Sequence, residues 1–117
     1  MHDLTKRRCR SCEGGIPELS TAERAELMAQ ISDEWQCDGK TINREFQFRN
    51  YYQTTAFVNA AAWVAHTEDH HPNTEFGFNK CTVSYSTHAV GGLTENDFIC
   101  AAKTDALLAH MDDDDLQ

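Results

Sequence analysis

From residue 20 onward the apolar residues of this chain follow two spacings in turn, one suited to helices and the other to strands. Ser20 with Glu23 makes a capping-box start, and "TAERAELMAQI" follows with Ala22, Ala25, Leu27 or Met28, and Ile31 along one side. That pattern predicts a first helix. In "EWQCDGKTINREFQF" the dipeptide Asp38-Gly39 predicts a two-residue hairpin turn, which sets Cys37 opposite Lys40 and Trp35 opposite Ile42. Phe46 and Phe48 then fall on the same side, and Arg44 interrupts the stripe.

The stretch "NYYQTTAFVNAAAWVAHTEDHHP" has the length and alanine content of a long helix, capped by Asn50 and carrying Phe57, Ala60, Ala61 and Val64 at spacings of three and four. Pro72 disfavours helical geometry at the residue before it, so this helix is expected to end near His70 or His71. A second hairpin is read in "EFGFNKCTVSYSTH", turning at Asn79 and Lys80 with Phe78 opposite Cys81 and Phe76 opposite Val83. Tyr85 continues its apolar face, while Glu75, Thr82, Ser84 and Ser86 take the other. After the loop "AVGGL", Thr94 and Asp97 open a last helix through "FICAAKTDALLAH". The order α-β-β-α-β-β-α predicts an α+β fold: a four-stranded antiparallel sheet with helices packed on one face. Residues 1–19 show no sustained period and are expected to be a loosely ordered arm. The folded domain is expected over 20–111, with an acidic tail at 112–117.

Composition narrows the function classes. With 117 residues, 40% hydrophobic and 25% charged, the chain is an ordinary globular sequence able to fold by its own core. The net charge of −9 includes Asp112 to Asp115, and the rest of the chain carries −5. "KRRCR" is the one basic cluster, so no direct nucleic-acid partner is expected. "AAAWVA" is too short to span a bilayer, so no membrane is expected either. Five cysteines, without a secretory apolar segment, point to a reducing cytoplasm.

The candidate chemistry is concentrated in "HTEDHHP". His66 and His70, four apart on a helix, could share a metal ion, but Thr67 stands where a zinc-protease helix has Glu and no third ligand is evident. Cys9 and Cys12 are at most half of a zinc site. As acid/base groups, imidazoles near neutral pH serve in both directions, so His70 and His71 at a helix C-terminus could donate and accept protons. The plainer reading is a surface pair that stops a helix. His88, beside a glycine loop, adds weight to the chemical one. Asp97 is explained by capping alone. Trp35, Phe57 and Trp63 are read as core.

The run His66, three residues, His70-His71-Pro72, five residues, Phe78, nine residues, His88, eight residues, Asp97 resembles the signature of the pterin-4a-carbinolamine dehydratases. "STHAVGGLTENDF" is also similar to that family's last strand, loop and helix start. The resemblance implies the same α+β fold, and dehydration of 4a-hydroxytetrahydropterin to quinonoid dihydropterin in tetrahydropterin recycling. It implies catalytic histidines at His70, His71 and His88, an acidic partner at Asp97, and substrate contacts from Pro72, Phe78, Ser86 and Thr87. His66 stands where the family often has a carboxylate, and a supporting role there is the expectation. Homodimers or homotetramers, with no metal and no organic cofactor, are implied too. Two other readings stand beside it: a non-catalytic dimerisation or regulatory module of this fold, and a small metal-binding protein.

Overall fold

In the computed structural model, which describes residues 3–10 and 15–111, helices α1 (Thr21–Met28), α2 (Tyr51–Glu68) and α3 (Glu95–Ala106) alternate with strands β1 (Gln36–Cys37), β2 (Ile42–Gln47), β3 (Asn73–Phe76) and β4 (Lys80–Tyr85). The sheet is antiparallel in the order β1-β2-β4-β3. Fold class and element order are as the sequence predicts. Ile42 and Phe46 of β2 and Cys81, Val83 and Tyr85 of β4 face the helices and are fully buried, together with Phe57 of α2 and Phe98 and Ile99 of α3. Residues between them, such as Asn43, Glu45 and Thr82, point to the uncovered face, as the two-residue period requires. Among the described residues, no helix is long and apolar enough to cross a membrane.

Both hairpin registers differ from expectation by two residues. Cys37 pairs with Ile42 rather than Lys40. Asp38 causes this: its Oδ1 accepts from the backbone N–H of Lys40 and Thr41 at 2.9 and 2.8 Å, and its own N–H donates to the Thr41 carbonyl. The corner therefore falls on Gly39 and Lys40, with Gly39 at φ 99°. In the second hairpin Phe76 pairs with Cys81 and Thr74 with Val83. Its corner is Phe78–Asn79, tied down by tertiary bonds, since the Phe78 carbonyl accepts from Thr54 Oγ1 and the Asn79 carbonyl from the Phe48 N–H. A shift of two leaves every side chain on its predicted face.

Arg44 lies on the inner face, where its charge is paired although its buried Nε has no hydrogen-bond partner. Its Nη1 is 2.7 Å from Asp105 Oδ1, its guanidinium stacks 4.3 Å above the Phe46 ring, and Trp35 Nε1 donates to the same Asp105 carboxylate. Trp63, expected in the core, is instead 66% exposed, and Phe76 and Phe78 are 47% and 65% exposed. All four residues of β3 are exposed, because this strand forms one edge of the sheet beyond the helical cover.

Residues 3–10, expected as part of a loose arm, are held against the domain. Leu4 is buried, and the Cys9 N–H donates to Glu68 Oε1 at 2.8 Å. Arg10 and Asn96 exchange two hydrogen bonds, and Arg7 meets Glu95 at 3.0 Å. Contacts of this kind, side chain to distant backbone, leave no periodic trace. The expected acidic tail and Cys12 lie outside the described residues.

Glu68 anchors this segment, accepting also from Lys103 Nζ at 2.7 Å and Arg8 Nε at 3.2 Å. Burial alone would raise its carboxyl, but the Cys9 N–H, Lys103 and Arg8 together outweigh burial and hold it below the usual glutamate value. A depressed acid stabilises the fold above its unfolded pKa, and that stabilisation is lost as pH falls through the folded value. Acidification below the ordinary glutamate range is therefore expected to free residues 3–10 first. Hydrogen exchange at the Cys9 and Arg10 amides checks this, and Glu68→Gln should remove the pH dependence.

Candidate active site

The site begins with how α2 ends. Glu68 is its last residue, slightly earlier than the sequence reading placed the end. Asp69 adopts the left-handed conformation (φ 52°), the His70 N–H donates to the Ala65 carbonyl at 3.1 Å, and the Asp69 N–H donates to the His66 carbonyl. These are the two bonds of a Schellman cap. The reversal sends His70 inward, to 8% exposure, and leaves His71 exposed. Pro72 then leads into β3.

Asp69 is the one non-glycine residue with positive φ among the described residues, and its charge opposes the negative end of the helix dipole. Asp69→Gly is expected to raise stability by about 0.5–1 kcal/mol and Asp69→Ala to lower it by about 1 kcal/mol, read by urea denaturation.

His70 meets α3 at one buried carboxylate. Its Nε2 lies 2.6 Å from Asp97 Oδ1, and Asp97 is fully buried. The other oxygen, Oδ2, accepts from the Thr94 N–H at 2.9 Å and from Thr87 Oγ1 at 2.8 Å. Thr87 Oγ1 in turn lies 2.9 Å from Thr94 Oγ1, which accepts from the Asn96 N–H. Asp97 thus closes a capping box for α3 and fixes an imidazole at the same time. The Tyr85 ring lies nearly parallel to the His70 ring, 12° apart in plane and 6.2 Å between centroids. One edge of His70 is fixed by a carboxylate oxygen and one face lies against an aromatic ring.

His70, His71 and His88 line one cavity of about 250 Å³, with Asp69, Ser86, Thr87 and Ala89. His88 starts a short 3₁₀ turn, His88–Val90, that leaves β4 and closes at Gly91 (φ 65°). An adjoining cavity of about 480 Å³ shares Asp69, His70 and His71 and adds His66, Pro72, Val58 and Ala62. The structure thus brings together His70, His71, His88, Ser86 and Thr87, and places Asp97 directly behind His70. His66 and Pro72 belong to the neighbouring cavity, with His66 5.2 Å from the Trp63 ring. Phe78 lines neither, since it sits exposed at the corner of the second hairpin. Thr87 borders the first cavity, but its side chain is buried and engaged with Asp97, which makes it a support for the carboxylate. Among the described residues, no group of three or more His, Cys, Asp or Glu side chains is arranged to hold a metal ion.

Tyr85, Thr94 and Asp69 escaped the sequence reading as site residues. The signal for Tyr85 was its place on the inward face of β4, in phase with Val83 and three residues before His88. Thr94 was legible only as a cap.

The family described as "Pterin 4 alpha carbinolamine dehydratase" matches residues 17–107. A protein of Nitrosospira multiformis, provisionally named pterin-4-alpha-carbinolamine dehydratase, is 60% identical over 90% of this chain and 92% of its own length. A Legionella pneumophila protein with the same provisional name is 49% identical over 91% of this chain and 96% of its own. Among solved structures, a transcriptional coactivator/pterin dehydratase from Brucella melitensis superposes with a TM-score of 0.73 at 32% identity, covering 78% of this chain and 98% of its own. A pterin dehydratase-like protein identified as a RuBisCO assembly factor in the alpha-carboxysome gives 0.54 at 30%, covering 62% and 84%.

Proposed function

This chain belongs to the pterin 4 alpha carbinolamine dehydratase family, and from that premise we propose that it converts 4a-hydroxytetrahydropterin to quinonoid dihydropterin and water. The observation that carries the reading is the meeting of His70, His71 and His88 at one cavity. Dehydration needs one proton delivered to the leaving 4a-hydroxyl and one withdrawn from the neighbouring ring nitrogen. Carbon and nitrogen undergo no net redox change, so positioned acid and base groups suffice, each worth about 10²–10⁴ in rate.

The two exposed rings, His71 and His88, are assigned the proton transfers. His70 is assigned as a fixed wall of the same cavity, with Asp97 orienting its ring through Nε2. The reaction serves tetrahydropterin recycling in the cytoplasm and requires no metal or organic cofactor. The working form is assigned as a homodimer or homotetramer. Tyr51, Tyr52, Trp63, Phe76 and Phe78, all large and exposed on α2, β3 and the β3–β4 turn, support burial against further copies. Light scattering should therefore give a mass above that of one chain.

A second reading, a protein-binding module without catalysis, draws support from the coactivator and assembly-factor roles in the names of the two solved relatives. Stopped-flow ultraviolet absorbance of freshly generated 4a-hydroxytetrahydropterin separates the two. The dehydratase reading expects faster decay with added protein, in proportion to its concentration. Decay at the uncatalysed rate with the intact chain favours the module.

A further inference from the structure

Cys9 and Cys100 are 91 positions apart in sequence, and their sulfurs lie 3.5 Å apart. We propose that this pair is a site of reversible oxidative modification, closing to a disulfide that fastens the N-terminal segment to α3 when it meets a low-molecular-weight disulfide such as glutathione disulfide. The backbone around Cys9 is already fixed on both sides. Its N–H donates to Glu68 Oε1, and the next residue, Arg10, is held by the two bonds to Asn96. The sulfurs need only approach to about 2.05 Å. Cys9 is half-buried, so a reagent can reach it, whereas Cys100 is fully buried behind it.

The exchange balances as two steps. The Cys9 thiolate attacks one sulfur of glutathione disulfide, whose S–S bond breaks, and one glutathione leaves as a thiolate that takes up the proton Cys9 released. The Cys100 thiolate then attacks the Cys9 sulfur of the mixed disulfide and expels the second glutathione, which takes the Cys100 proton. Two protein thiols are oxidised and one glutathione disulfide is reduced to two glutathiones. The hydrogen bond with Cys9 and burial both hold the Cys100 thiol well above the usual cysteine range, so the second step is the slow one.

The location gives the bond a reach beyond the arm. Cys100 is three residues after Asp97 on α3, and its Sγ lies 3.9 Å from the His70 carbonyl oxygen. A covalent tie here braces the helix that carries Asp97 and the turn that carries His70. The inference stands on the thiol geometry and is independent of the dehydratase reading.

The test treats the full chain under native conditions with glutathione disulfide, blocks remaining thiols, and maps non-reduced peptides by mass spectrometry. The expected product is a Cys9–Cys100 linked peptide that dithiothreitol reverses. It should persist in Cys12→Ser, be absent from Cys9→Ser, and accompany a rise in thermal midpoint of roughly 10 °C. Cys37, exposed on β1, should carry at most a single glutathione, and Cys81, buried on β4, should be recovered as a thiol that is blocked only after unfolding. Exclusive linkage of Cys9 to Cys12, or glutathione remaining on Cys9 in the Cys12→Ser protein, would overturn the proposal. Cys100→Ala supplies the control if Cys9→Ser fails to fold.

Discussion

Replacing Asp97 by Ala is expected to lower stability by about 3 kcal/mol and to cut the rate of carbinolamine dehydration by at least ~10²-fold. His70 Nε2 and the Thr94 N–H lose their partner together, and the Thr87 hydroxyl keeps only its contact with Thr94 Oγ1, all in a region with little access to water. The capping box of α3 is lost as well, which alone costs about 1 kcal/mol. Asp97→Asn separates the contributions. An amide oxygen can still accept from the Thr94 N–H, but its NH₂ end does not replace an anion facing the imidazole. Most of the stability should return with Asn while most of the activity stays lost. Urea denaturation and initial rates on the same protein check both halves.

His71→Ala and His88→Ala should behave in the opposite way. Both rings are exposed, so each change should leave stability within about 0.5 kcal/mol. Each should lower kcat by about 10²–10⁴ if the ring transfers a proton in the transition state, with little change in KM. The double variant should be only modestly slower than the worse single one, because two groups serving one dehydration are not additive.

The contrast between Asp97 and the two exposed histidines shows what sequence could and could not reveal. Capping boxes at Ser20 and Thr94, the Asn50 cap and the Pro72 stop were all readable, because each acts through neighbours a few residues away. The face of each inward strand residue was readable as well. Hairpin registers were not: a carboxylate bonding two amides at Asp38, and tertiary bonds to Phe78 and Asn79, moved each corner. Trp63, Phe76 and Phe78 looked like core because hydrophobicity does not say which face of a helix is covered, or which strand is an edge. At the site, the spacing placed His70 and His71 at a helix end, but not the left-handed Asp69 that turns one inward and the other outward. Asp97 was legible as a cap. That the same carboxylate also holds His70, 27 positions away, depends on how α2 and α3 pack.

The most direct measurement is single-turnover stopped-flow of 4a-hydroxytetrahydropterin with excess wild-type protein beside the His71→Ala/His88→Ala double variant, both shown by circular dichroism to be folded. Wild-type protein should accelerate loss of the carbinolamine, and the double variant should fall back close to the uncatalysed rate. Acceleration of similar size in both would contradict proton transfer by the imidazoles at this cavity.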